Sequence, residues 1–129
     1  MAREIVATEN APAAVGPYSQ AIRVGGLVFC SGQIPFDPAT GELVTGPIEE
    51  ATERCILNLR EVLHAAGLDL AHAVKVSVFM TDLSQFSRMN EVYARYFGDA
   101  PPARECVGVA ALPKGAPVEI SLIAEGHDK

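Results

Sequence analysis

Apolar residues recur at three-and-four spacing over 47–66, where Ile48, Ala51, Cys55, Leu59, Val62, Leu63 and Ala66 fall on one helical face. Pro47 suits the first turn of such a helix and Gly67 its left-handed C-terminal cap, so the pattern predicts a helix between them. Over 73–80 the period changes to two. Val74, Val76, Val78 and Met80 alternate with Lys75, Ser77 and Phe79, which predicts a strand with one fully apolar face. Asp82 to Gln85 then has the form of a capping box opening a second helix. Its apolar face is Phe86, Met89, Tyr93, Tyr96 and Phe97, with Asn90 inside the stripe and Gly98 near the end.

Shorter patterns fill the rest. Residues 3–7 and 19–24 read as strands, and Gly25-Gly26 supplies the turn that folds 27–32 back as a hairpin. Asp37-Pro38-Ala39-Thr40-Gly41 reads as a turn or loop before the first helix. Residues 104–112 and 117–124 give two more strands, separated by the proline- and glycine-bearing segment 112–117. The expected order is β-β-β-α-β-α-β-β in one domain spanning 1–129.

Alternation makes a packing prediction. Val74/Val76/Val78, Val107/Val109 and Val118/Ile120/Leu122 are apolar sets that two amphipathic helices can cover on one sheet face. No helix is left for the other face, to which alternation assigns Ser77, Phe79, Arg104, Cys106, Glu119, Ser121 and Ile123. That mixture is too apolar in places to stay bare, and packing against copies of the same chain would cover it.

Charge and composition narrow the function classes. Ten basic against sixteen acidic residues, a formal charge of −6, work against broad nucleic-acid binding, whose affinity comes from neutralising phosphates. No apolar run approaches the ~20 residues needed to span a bilayer, and Met1-Ala2-Arg3-Glu4 opens no signal-peptide core, so a cytoplasmic, membrane-free protein is expected. Cys30, Cys55 and Cys106 lack CxxC spacing and read as reduced thiols, while His64, His72 and His127 have no metal-ligand spacing, so no metal site is expected. Serine-hydrolase elbows, phosphate loops and dinucleotide turns are absent from the sequence.

Several residues remain as candidates for chemistry. Arg104 opens a strand after Pro101-Pro102-Ala103 and shares a face with Cys106. It is either a surface charge paired with an acid or a fork that grips a carboxylate with two parallel hydrogen bonds. Glu119 alternates with Val118 and Ile120 and is expected to point toward Arg104 on the adjoining strand, as a structural partner or as a carboxylate that positions water and moves protons. Asn90, an amide on an apolar stripe, needs a backbone partner or a ligand. Ser31, before Gly32 at a strand end, reads as a backbone-bonding serine rather than a nucleophile, and Tyr18 follows a rigid Gly-Pro turn as either an edge or a core ring.

Taken in order, Ala-Pro-Ala-Ala-Val-Gly-Pro-Tyr-Ser-Gln (11–20), Ser-Gly-Gln-Ile-Pro (31–35), Pro-Ala-Arg-Glu-Cys-Val (102–107) and Leu-Pro-Lys-Gly-Ala-Pro-Val-Glu-Ile (112–120) closely resemble the Rid (YjgF-like, reactive-intermediate deaminase) family over nearly the whole chain. The resemblance implies a chorismate-mutase-like α+β domain with a mixed sheet. It also implies a homotrimer whose sheets join into a central barrel, with ligand clefts between neighbours. In that family the arginine matching Arg104 holds the substrate carboxylate, and positions matching Tyr18, Ser31, Gly32, Asn90, Cys106 and Glu119 line the cleft, Cys106 through its main-chain groups. The implied reaction needs no cofactor. It is hydrolysis of 2-imino acids such as 2-iminopropanoate and 2-iminobutanoate, released by pyridoxal-phosphate enzymes, to 2-keto acids and ammonia. Arg104 would orient the substrate and Glu119 would manage the water. Two other readings fit the same resemblance: a non-catalytic regulatory trimer that binds small carboxylates, and an endoribonuclease or translation inhibitor. Glu105 departs from the small residue common after the arginine. Alternation sends it to the opposite face, whereas a bulged strand would let it compete for Arg104.

Overall fold

The computed structural model describes residues 2–126, a mixed α+β domain of one sheet and two helices. The strands are β1 (Glu4–Val6), β2 (Ala21–Val24), β3 (Leu27–Gln33), β4 (Phe36–Asp37), β5 (Glu42–Leu43), β6 (Ala73–Met80), β7 (Ala103–Gly108) and β8 (Val118–Glu125). The helices are α1 (Ile48–Ala65) and α2 (Phe86–Phe97). Six strands form one sheet in the order β1-β2-β3-β8-β6-β7, antiparallel except for the β6·β7 pair, which α2 connects as a crossover.

The first helix forms where the spacing placed it. Pro47 caps it from outside rather than entering its first turn. At the other end Gly67 takes φ 78, its N–H reaching the His64 carbonyl at 3.0 Å while the Leu68 N–H reaches that of Leu63 at 2.9 Å. That pairing satisfies carbonyls which the helix itself leaves open. The second helix begins differently from the expected capping box. The Asp82 carboxylate accepts from the Ser84 N–H at 3.0 Å and from the Ser84 hydroxyl at 2.6 Å, capping a 3₁₀ turn over Leu83–Gln85 that leads into α2. The Gln85 N–H instead donates to the Asp82 main-chain carbonyl at 3.1 Å, which leaves the carboxylate to the Ser84 N–H and hydroxyl.

The core lies between the helices and one sheet face. Cys55, Ile56, Leu59, Val62 and Leu63 of α1 and Met89, Tyr93 and Phe97 of α2 pack on Val28, Val76, Val78, Met80, Val118, Ile120 and Leu122. Two valine assignments differ from expectation. Val74 is 46% exposed because the β6·β8 register shifts between Ala73 and Lys75, which turns Ala73 inward in its place. Val107 is 41% exposed because it lies beside Phe79 on the face without helices. That face also carries Ile5, Leu27 and Phe29, all exposed, with Ser77, Glu119 and Ser121 between them.

One element has no counterpart in the hydrophobic pattern. β4 and β5 pair as a small hairpin around the expected 37–41 turn, closed by the Gly41 N–H on the Asp37 carbonyl at 2.9 Å. Two-residue strands are too short to show a period. The buried Asn58 amide of α1 holds this hairpin, donating to the Phe36 carbonyl at 2.9 Å. Asn58→Ala strands that carbonyl and leaves a void, so it is expected to lower stability by about 1–3 kcal/mol in chemical denaturation. An unchanged denaturation midpoint would contradict the anchoring role.

Candidate functional site

The β6·β7 register decides where the arginine goes. Arg104 lies beside Val76 and Cys106 beside Val78, both buried positions, so Arg104 and Cys106 face α2 and not the bare sheet face assigned to them by alternation. Alternation fixes only that the two share a face. The parallel pairing with β6 selects which one.

Three residues of α2 meet the guanidinium. Phe86, Asn90 and Tyr93 stand at three-and-four spacing on one side of the helix. The Arg104 carbon Cζ lies 4.6 Å from the Tyr93 ring centroid and 5.5 Å from that of Phe86, and Nη1 donates to Asn90 Oδ1 at 2.6 Å. Asn90 thus gains a partner that is neither backbone nor ligand. Beside them is a groove of about 440 Å³ lined by Asn90, Tyr93, Phe97, Pro101, Pro102 and Arg104.

Neighbouring groups leave the cation alone. Glu105 points to the other face, where it meets Lys75 at 2.9 Å and accepts from the Ser77 hydroxyl; these contacts hold its carboxyl below the ordinary glutamate range. The strand is not bulged there, since the β6·β7 pairing runs unbroken from Lys75↔Ala103 to Met80↔Gly108. Burial raises the Cys106 thiol, against a smaller lowering by Arg104, and its Sγ lies 3.8 Å from Met80 Sδ, so the side chain is held as a neutral thiol. β7 has β6 on one side only, which leaves outward main-chain groups along its free edge.

A second group of candidates gathers at β3 and β8. The register shifts between Cys30 and Gln33, a bulge that contains Ser31 and Gly32. The Ser31 hydroxyl donates to the Ser19 carbonyl at 2.6 Å, as a backbone-bonding serine does. Gly32 lies against the Glu119 carboxylate so closely that a Cβ would come within 2.9 Å of Glu119 Cδ and closer still to Oε2. Burial raises the Glu119 carboxyl above the ordinary glutamate range. Tyr18 is 52% exposed, an edge ring rather than a core one, and shares a groove of about 390 Å³ with Gly32, Ile34, Phe36 and Lys114.

Arg104 and Glu119 do not meet in one chain. Glu119 is paired with Phe79 on the bare face, whereas Arg104 is level with Val76 on the helix face, so the sheet stands between them. The expectation that the carboxylate points toward the arginine therefore fails within a single copy. Register puts the two side chains on opposite faces, and strand order separates them further, because β6 lies between β7 and β8. Of the histidines, His64 lies 3.4 Å from Asp69 and His72 accepts from the Asp69 N–H at 3.0 Å, while His127 falls outside the described residues.

Further residues build the site. Phe86 and Tyr93 count as core by spacing alone, yet they form the bed under Arg104. Gln20 is buried and clamps residues 8–12 with four bonds, its oxygen accepting from the Thr8 N–H at 2.7 Å and its nitrogen donating to the Thr8, Ala11 and Pro12 carbonyls at 3.1, 3.5 and 2.7 Å. Its amide next to apolar Ala21 and Ile22, like Asn58 within the α1 stripe, is the trace that pattern reading can use.

Fold and site together define a small α+β domain with a guanidinium carried on an aromatic bed at a sheet edge. The family model described as Endoribonuclease L-PSP matches residues 8–126. A RutC family protein of Pyrococcus abyssi is 52% identical over 124 residues, covering 96% of this chain and 98% of the relative. A Bos taurus protein named 2-iminobutanoate/2-iminopropanoate deaminase is 47% identical over 124 residues, covering 96% and 90%. The crystal structure of Escherichia coli TdcF with bound serine superposes with a TM-score of 0.91 at 41% identity, covering 95% of this chain and 98% of that one. The chain belongs to the Rid (YjgF-like) family.

The Gly32 contact yields a separable prediction. The atoms a Cβ would meet belong to the end of a flexible side chain, so Gly32→Ala should displace the Glu119 carboxylate and leave the backbone in place. Stability is expected to change by less than about 1 kcal/mol in thermal unfolding. A collapse of stability would show that the contact is rigid.

Proposed function

We propose that this protein hydrolyses reactive 2-imino acids, among them 2-iminopropanoate and 2-iminobutanoate, to 2-keto acids and ammonia, as a hydrolase acting on C=N bonds. Its role would be to clear products of pyridoxal-phosphate enzymes in the cytoplasm. The observation that carries this reading is the Arg104 fork, which among the described residues is bound by a neutral amide and two rings and by no acid, so that its charge remains open to a substrate carboxylate. The 47% identical relative named for this activity supports it.

The working unit is a homotrimer with a central barrel lined by the bare sheet faces. Ile5, Leu27, Phe29 and Val107 are the exposed apolar residues that such packing would cover. Separation of the candidates into two groups favours a cleft between subunits. One copy supplies Arg104, Asn90 and the main chain at Cys106, and its neighbour supplies Tyr18, Ser31, Gly32 and Glu119.

The chemistry asks little of the protein. Arg104 orients the carboxylate while Glu119 takes a proton from water as its oxygen adds to the imine carbon, and returns that proton to the nitrogen to give a carbinolamine. Glu119 then moves the remaining hydroxyl proton to the same nitrogen as the C=O bond forms and the C–N bond breaks, so that ammonia leaves with both water protons. No cofactor or metal enters these steps. A non-catalytic carboxylate-binding trimer is the second reading, favoured by the relative solved with bound serine. The family model's description points to an endoribonuclease, but the formal charge of −6 works against holding RNA.

Imines generated in situ by an amino-acid oxidase or a threonine dehydratase should decay faster with wild-type protein than in buffer. Arg104→Ala should abolish the acceleration while sedimentation still reports a trimer. A folded trimer with no acceleration shifts the assignment to the carboxylate-binding reading, and a well-folded monomer contradicts the barrel.

The sign of the pH dependence follows from Glu119. Its acid form is favoured by burial, so the carboxylate base appears only as pH rises through a value above the ordinary ~4.3. The rate above buffer should climb through that window, and Glu119→Gln should lack the climb. Identical profiles for the two proteins would remove Glu119 from proton transfer.

A further inference from the structure

We propose that Tyr93, assisted by Phe86, is a positioning residue that holds the Arg104 guanidinium by the faces of the aromatic rings and so leaves the in-plane donors free for a ligand carboxylate. This inference rests on the carboxylate-binding role of Arg104.

A half-buried guanidinium needs something to replace lost hydration. In most folded proteins that partner is an acid, which also occupies the donors. Here the acid next in sequence, Glu105, is drawn to the opposite sheet face by Lys75 and Ser77, and Arg104 makes no ion pair among the described residues. The compensation comes instead from the Tyr93 ring at 4.6 Å and the Phe86 ring at 5.5 Å. A ring attracts the cation through its negative face and accepts no in-plane hydrogen bond. Among the described residues one donor is used, on Nη1, by the neutral Asn90 oxygen at 2.6 Å. The remaining N–H groups keep the parallel geometry that a bidentate carboxylate requires.

The hydroxyl of Tyr93 separates the ring's role from that of the polar group. It is buried and has no hydrogen-bond partner among the described residues, so it makes no bond that holds Arg104. Phenylalanine at this position should do the same work, and an aliphatic side chain of similar bulk should not.

Binding of 2-oxobutanoate, the expected product and a stable carboxylate, is measured by calorimetry alongside the kinetics of imine decay. Tyr93→Leu should weaken 2-oxobutanoate binding and raise KM by roughly three- to thirty-fold, the range of a ring–cation contact, with kcat changing less. Tyr93→Phe should match wild type in both. A merely structural residue would instead lower the active fraction, so that kcat falls with KM unchanged. Phe86→Leu, at a more exposed position, should shift Kd and KM in the same direction and serves if Tyr93→Leu does not fold. Unchanged Kd and KM in a folded Leu variant, or equal losses in Tyr93→Phe, would overturn the proposal. Wild-type affinity retained in Arg104→Ala would instead sink the carboxylate reading itself, a separate failure.

Discussion

Two helices can cover only one face of a six-stranded sheet, and the rest of the molecule follows from that constraint. The stripe of α1 and the stripe of α2 bury Val76, Val78, Met80, Val118 and Ile120 almost completely, and this burial is the main source of stability in a chain without metal clusters or disulfides among its described residues. The opposite face is left with apolar and polar residues interleaved. Its composition suits neither a dry core nor an open surface, which is the physical argument for self-association.

The crossover through α2 has a second effect. Joining β6 to a parallel β7 places β7 at the sheet edge with α2 above it, so the first residues of that strand lie beneath a helix that is still partly open to solvent. Arg104 enters at this margin. It is buried enough for ring contacts to matter and exposed enough to meet a ligand, a combination that neither the centre of the sheet nor its bare face provides. The bulge in β3 plays a comparable part, because the extra residue lets Gly32 come against Glu119 and holds that carboxylate where burial favours its protonated form.

Much of the scaffold was legible along the chain because its elements are long and periodic. The helix spacing over 47–66 and the alternation over 73–80 recovered α1 and β6 nearly to the residue. Hairpin β4–β5 was not legible, since two residues per strand carry no period and the pairing is held by Asn58 from a distant helix. The candidate residues were legible mainly as a set of spaced motifs. Individually, Ser31 and Asn90 read better as structural residues, and Tyr18 had a structural reading as good as the functional one.

Chain order and residue type determined that Arg104 and Cys106 share a face and that Glu105 takes the other, because backbone alternation is a local property. Which face each set occupies was decided only by the tertiary structure. That choice depends on strand order and register, and the parallel pairing of β7 with β6 turned Arg104 toward Phe86, Asn90 and Tyr93 and put the sheet between it and Glu119. Local pattern holds no record of such pairings, since they join residues far apart in sequence whose contacts exist only once the chain has folded.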